Sequence, residues 1–329
     1  MDDKLIQDLK EKSEIEDLIN TINPYFPGLD INDYKIEEIE RSLYHIYIKL
    51  IGRILSYSPE NMRDFLRDFL LKYEIMNLKE IILGTIIGIS ISEKKKNINF
   101  TIEKYLDNRE FMENLVEIPT LDEIQLFLRT SKYNRPVREG IAYFRNTNEI
   151  FVLESFLDQL YYQNLMKNTK IYDQYEKEMI GLFSKYITEI YNINIIYRGI
   201  INRIDKKLLS QFLVDNHLFL EKEVLLNLLE NNNLKSFFNM LKSYLLKVDG
   251  LKGVKRLRED LDHPIWVIEE LYQNYYFQKF ELKIDNIAYS TIYRIFELII
   301  KKEKEIKREI MPNVIRILHE KFTIFEGQK

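Results

Sequence analysis

Apolar residues along this chain recur mostly at intervals of three and four, the period of a helix with one face in a core. In "MRDFLRDFLLKYEI" (62–75), Phe65, Phe69 and Tyr73 form one stripe, with Leu66 and Leu70 beside it. Strict alternation is rare, and the best strand candidate is the short "NINFTI" (97–102). With only 10 Gly and 7 Pro in 329 residues, few positions break the helical pattern, and no long low-complexity linker interrupts it. The predicted class is all-α.

The pattern also repeats at long range. "EIMNLKEIILG" (74–84) returns as "EIYNINIIYRG" (189–199), an offset of 115. "IERSLYHIYIKLI" (39–51) compares with "LESFLDQLYYQNL" (153–165) and more weakly with "IEELYQNYYFQKF" (268–280). Upstream of each lies a predicted helix ending near a tyrosine: "EIEDLINTINPY" (14–25), "LDEIQLFLRTSKY" (121–133) and "LKSFFNMLKSY" (234–244). Downstream, "EIMPNVIRILHEK" (309–321) is a third relative of the opening motif, with one extra residue, Pro312, before its Asn313. Three element types in one order at near-constant spacing are the signature of a repeat. Length alone suggests about two domains; the repeat predicts three helical domains, 1–115, 116–230 and 231–329.

On a helix, Asn77, Ile81 and Gly84 share one face, as do Asn192, Ile196 and Gly199. Glycine on that face lets another backbone approach closely. A buried Asn needs partners, expected on the backbone of a neighbouring helix or at the start of its own. Glu74 and Glu189 are read as lying near that start, where an acid suits the helix dipole. These residues, with Asn313, are expected to hold the fold together and not to catalyse.

Composition narrows the function. Net charge is −4, against the basic balance of a nucleic-acid binder. There is no cysteine, which excludes disulfides, thiolate metal sites and thiol nucleophiles and suits a reducing interior. The N-terminus "MDDKLIQDLKEKS" is charged and amphipathic, unlike a secretory signal. The longest apolar stretch, "IILGTIIGISI" (81–91), is well short of the ~18–20 residues that span a bilayer. No phosphate-cradling glycine loop or nucleophile elbow is present, and His45, His217, His263 and His319 are dispersed. No catalytic, cofactor or metal residue is assigned. The run "KKEKEIKREI" (301–310) reads as a solvated helix face, Lys94–Lys96 as a solvated loop, and "LKGVKRLRED" (251–260) as an exposed loop or helix face. Tyrosine is abundant, at 22 residues; Tyr47, Tyr161 and Tyr276 sit on apolar stripes, as core tyrosines with bonded hydroxyls do.

The pattern Glu-x-x-Asn-Leu/Ile-x-x-Ile, in "FLLKYEIMNLKEIILG" (69–84), "YITEIYNINIIYRG" (186–199) and, relaxed, "KEKEIKREIMPNVIRILHEK" (302–321), resembles one family, as do "FLDQLYYQNL" (156–165) and "LFLRTSKY" (126–133). It is the C subunit of the archaeal and V-type rotary ATPases, equivalent to the d subunit of the eukaryotic vacuolar enzyme. The resemblance covers nearly the whole chain. The chain departs from the family in having Glu74 and Glu189 where Asp is usual, in the inserted Pro312, and in having only about a dozen residues before the first repeat, where the family tends to have an extra arginine-containing helix.

The resemblance implies three similar helical domains in a pseudo-threefold funnel or socket. It implies a non-catalytic rotor part of the central stalk. One side would take the end of the axle subunit and the other would sit on the membrane proteolipid ring, so that ATP synthesis or hydrolysis is linked to ion transport. The location implied is cytoplasmic, peripheral to the membrane, with no cofactor and no nucleic acid. Lys79, Arg198 and Arg316 are candidate partner contacts, with salt bridges on an exposed face as the competing reading. A generic helical-repeat scaffold for another protein partner shares the fold evidence and differs only in the partner.

Overall fold

The computed structural model describes residues 1–31, 34–168, 174–281 and 287–326, and every regular element among them is helical. The first repeat holds α1 (Asp3–Glu11), α2 (Ile15–Ile22) running into a 3₁₀ turn at Asn23–Tyr25, α3 (Ile36–Tyr57) and α4 (Glu60–Ile87). Three short helices follow: α5 (Ile91–Asn97), α6 (Phe100–Tyr105) and α7 (Arg109–Val116). The second holds α8 (Leu121–Phe127) with a 3₁₀ turn at Leu128–Thr130, α9 (Asn134–Thr147), α10 (Ile150–Asn168), α11 (Gln174–Ile201), α12 (Lys206–Phe212) and α13 (Lys222–Leu229). The third holds α14 (Leu234–Leu245), a 3₁₀ turn at Val254–Arg256, α15 (Pro264–Glu281), α16 (Ile287–Lys304), a π-helical turn at Glu305–Ile310 and α17 (Met311–Glu326).

The repeated stretches fall on equivalent elements. Residues 39–51, 153–165 and 268–280 lie in α3, α10 and α15. The Asn motifs lie in α4, in α11 and across the π turn into α17; α4 and α11 are both 28 residues long. The tyrosines that close the upstream helices, Tyr25, Tyr133 and Tyr244, stand at the ends of α2, α8 and α14 or just beyond them.

Two compact units share these elements. One comprises Met1–Leu70, Gly88–Glu117 and Arg294–Lys329; the other comprises Leu71–Ile87 and Ile118–Tyr293. In the first, α17 lies against α2 and α3, and its core includes Leu43, Ile51, Val314 and Ile317. The Phe65 ring meets Phe296 edge-on at 4.9 Å. In the second, α9 and α10 pack closely, helped by Gly140, where a Cβ would lie 3.1 Å from the Leu153 backbone. Helix α11 is covered by α10, α15 and the short helices after it, and Phe183, Ile193 and Ile196 are buried along its length.

Three local expectations are corrected. "NINFTI" is not a strand but the junction of α5 and α6. A capping box of Ser90 and Glu93 starts α5, and the Asn99 side chain accepts from the Thr101 N–H to start α6. Ile98 and Ile102, four apart, are both buried. The same capping box makes Lys94–Lys96 part of a helix instead of a loop. Lys94 is buried there, and burial lowers its ammonium pKa, while Lys95 pairs outward with Glu117 at 2.6 Å. In 301–310, Glu303 and Lys307 form the expected i,i+4 pair at 2.7 Å, but Glu305 is buried and bound by Lys302 at 2.8 Å. The 251–260 cluster does stand on the surface: Lys252, Lys255, Arg256 and Arg258 are exposed while Leu251, Val254 and Leu257 point inward.

Candidate functional site

The Asn motif on α11 is a buried polar bracket. Ser184, Thr188 and Asn192 follow each other at intervals of four, so they form one row, with Glu189 beside it. All four are buried. They hold the connection between α12 and α13. The Asn192 amide donates to the Val214 carbonyl and its Oδ1 accepts from the Val214 N–H, both at 2.9 Å. Asn216 donates to Ser184 Oγ at 3.0 Å and Thr188 Oγ1 at 3.2 Å.

Glu189 accepts from the Leu218, Phe219 and Leu220 N–H groups at 2.6–3.0 Å, and from the Tyr272 hydroxyl at 2.6 Å. Four donors on one carboxylate are strong, charge-assisted bonds. Burial nevertheless raises the Glu189 pKa above its ordinary value, with the donors pulling the other way, and burial drives the Tyr272 hydroxyl well upward.

This corrects the reading of Glu189 and Glu74 as residues near a helix start. Helix α11 begins at Gln174 and α4 at Glu60, so both acids sit mid-helix. Their role is to receive donors from other elements. Glu74 is buried and accepts the Tyr133 hydroxyl, with Lys132 at 3.2 Å. Asn77 and Gly84 are buried on the same helix. At Gly199 the close neighbour is a side chain and not a backbone: a Cβ would lie 2.3 Å from Leu209 Cδ1 on α12.

The third copy is built differently. Asn313 turns back on its own helix and donates to the Glu309 carbonyl at 2.8 Å. Directly before it the backbone widens into the π turn, and the Met311 N–H reaches back five residues to the Ile306 carbonyl. A π turn accommodates one additional residue in a helix, which matches the single extra residue, Pro312, in the sequence.

The stripe tyrosines extend the correspondence. Tyr47 on α3 donates to the Ile299 carbonyl on α16, and Tyr276 on α15 donates to the Met179 carbonyl on α11, both at 3.3 Å. Ile299 precedes Asn313 by 14 residues and Met179 precedes Asn192 by 13, the difference being the residue taken up by the π turn. The same tyrosine therefore grips the same point of a motif helix in two places.

The candidate partner contacts are engaged within the chain. Lys79 binds Asp158 at 2.7 Å, and Arg198 approaches Glu154 at 3.3 Å while lying over the Phe151 ring at 4.4 Å. Asp158 and Glu154 are four apart on α10, so one helix face takes a cation from α4 and another from α11. Arg316 donates to the Lys10 and Lys12 carbonyls at 3.2 and 2.7 Å, at the C-terminal end of α1, and pairs with Glu320 at 3.3 Å.

The structure adds Tyr272, Asn216 and the 218–220 backbone to the residues singled out in the sequence. Their one sequence signal is the buried-acid pattern of Glu189, which demands donors without saying whose. Among the described residues, no cluster of three or more His, Asp or Glu could hold a metal, and no helix is long and apolar enough to cross a membrane.

The sequence profile described as ATP synthase (C/AC39) subunit matches residues 1–311. The chain belongs to this family. Its relatives include the A-type ATP synthase C subunit of Methanocaldococcus jannaschii, 24% identical over 224 residues, which is 64% of this chain and 53% of the relative. The Thermococcus kodakarensis protein of the same name is 22% identical over 279 residues, 85% of this chain and 71% of the relative. That of Pyrococcus furiosus is 23% identical over 217 residues, 65% and 56%. The chain thus spans about half the length of the Methanocaldococcus jannaschii relative. In this C/AC39 chain the matched range takes in both Glu-Asn brackets and stops at Met311, two residues before Asn313.

Proposed function

We propose that this chain is the C subunit of a rotary ATPase of the archaeal or V type, a non-catalytic rotor part of its central stalk. It couples the axle subunit to the membrane proteolipid ring, so that ATP synthesis or hydrolysis is linked to ion movement. The observation that carries this reading is the C/AC39 match over residues 1–311, alongside relatives named as C subunits of A-type ATP synthases. We take its three repeats, 1–115, 116–230 and 231–329, as similar domains about a pseudo-threefold axis, forming a socket.

Two structural features support a mechanical role. The recurrent tyrosine grip, Tyr47 on Ile299 and Tyr276 on Met179, is a contact that equivalent domains in a cyclic arrangement would repeat. The buried brackets at Glu74 and Glu189 suit a part that must transmit torque without deforming, because satisfied buried polar networks rigidify a core. On this reading the protein lies at the cytoplasmic face of the membrane and binds no cofactor or nucleic acid.

Co-purification of the tagged chain with the axle subunit and the proteolipid ring tests the proposal. Retention of both is expected, and loss of either contact in the wild-type chain would sink it. The isolated chain is expected to show no ATPase turnover above buffer; a measured turnover abolished by a point substitution would overturn the non-catalytic assignment.

A further inference from the structure

A concave pocket of about 390 Å³ opens between α8, the following 3₁₀ turn and α9, and three arginines line it: Arg129, Arg138 and Arg145. Their charges are unevenly matched. Asp122 holds Arg145 at 2.8 Å. Arg138 comes only to 3.8 Å of Glu139, which is already bound by Arg135 at 3.0 Å. Arg129 makes no ion pair among the described residues and is exposed. Gln125 and Asn134 supply amides to the wall. Leu126 stands in the lining at 67% exposure, the most exposed large apolar side chain among the described residues of its compact unit.

We infer that this pocket is a docking site for an acidic segment of a neighbouring protein subunit, whose Asp or Glu carboxylate is taken by Arg129 and Arg138. A guanidinium matches a carboxylate with two parallel N–H···O bonds, and two guanidinium groups without a strong partner provide that match in one hollow. Leu126 offers the apolar contact beside it, the pairing of anchor and polar grip seen where protein segments dock. The surrounding acids argue against a lipid surface as occupant. Asp122 in the lining and Glu123 next to it are exposed and would be pressed against any anionic bilayer that approached the pocket. A single carboxylate entering between Arg129 and Arg138 meets an Asp122 already paired with Arg145, and stays clear of Glu123 outside the lining.

The inference rests on the rotor reading only for the assembly in which it is tested. In the purified rotary complex carrying R129K or R138K, a zero-length carbodiimide is expected to join the new amine to an Asp or Glu of another subunit, located by mass spectrometry. The double reversal R129E/R138E is expected to reduce retention of the chain in the complex by at least about tenfold in a salt wash. R109E, whose parent arginine pairs only with Glu113 on α7 among the described residues, serves as control and should be retained. Since Arg129 and Arg138 are exposed, the thermal melt of the reversed variant should match the wild type.

Coupling only to acids of the same chain, or full retention of the reversed variant, overturns the inference. So does binding of the wild-type chain to phosphatidylglycerol vesicles that the reversal abolishes without any inter-subunit coupling, which assigns the pocket to a lipid head group. Failure of the wild-type chain to enter the complex would instead refute the rotor reading.

Discussion

The Asn motif on α11 and its counterpart on α17 occupy the same place in two repeats, yet they do different work. Asn192 sets both ends of its amide on the backbone of a separate segment, and Glu189 beside it gathers four donors from the 218–220 backbone and from α15. Asn313 turns its amide onto its own helix, one turn back. Around α11 the polar residues tie their compact unit together. Around α17 that task passes to Arg316, which clamps the last turn of α1 and the residue that follows it. A motif can thus keep its position while its partners change, and positional equivalence alone does not say what a residue holds.

The sharpest way to break the comparison is to remove one residue from each helix. Deleting Ile195 rotates everything after it by about 100°, turning the buried end of α11 outward, and the chain should fail to fold. Deleting Pro312 should let the π turn close into an ordinary helix and leave α17 in register, with stability within about 1 kcal/mol of wild type. Circular dichroism and urea unfolding distinguish the two; equal damage from both deletions would refute the account of the π turn.

The next effect is that of the acids. E189A takes the acceptor from the buried Leu220 N–H and Tyr272 hydroxyl and from the half-buried Leu218 and Phe219 N–H groups, which should cost about 4 kcal/mol. E309A, at the matching place in the third repeat and only half-buried, should cost under about 1 kcal/mol in the same urea titration. For the asparagines the gap narrows: N192A strands both backbone groups of Val214 and should cost about 3 kcal/mol, N313A about 1 kcal/mol.

The smallest effect is one of pH. The folded-state pKa of Glu189 is raised above the ordinary 4.5, so the folded chain holds that proton more tightly than the unfolded chain. The stability it contributes is complete below 4.5 and is lost as pH rises through the raised value. The advantage of the wild type over E189Q should therefore shrink across that window in urea melts. An advantage that grows with pH would mean that the donors outweigh burial.

Much of this fold was legible in the residue pattern. The stripe of Phe65, Phe69 and Tyr73 marked a helix, and the echo of 74–84 in 189–199 marked equivalent ones. Helix starts were harder to read. Buried on most sides, α11 turns its polar row of Ser184, Thr188 and Asn192 inward, so the pattern does not show where the helix begins and an acid in its middle resembles one at its end. Capping chemistry was overlooked at Ser90 and Glu93, and the burial of Lys94 went with it. What could not be read was distance: Tyr272 lies 83 residues from Glu189, and nothing local announces a partner so remote. The arginine pocket was missed for a related reason, because Arg129, Arg138 and Arg145 converge only once α8 and α9 are folded against each other.

The grip of Tyr47 on the Ile299 carbonyl spans 252 positions. A ribosome releases the chain from its N-terminus, so α3 emerges long before the carbonyl it will bind. Glu189 likewise waits for Tyr272. Neither bond can form until most of the protein has been made, which leaves the early helices with apolar and polar groups awaiting their partners for much of synthesis. The finished molecule takes its stiffness from contacts that make its birth a late, nearly all-at-once event, and a shortened nascent chain should be a preferred client of chaperones.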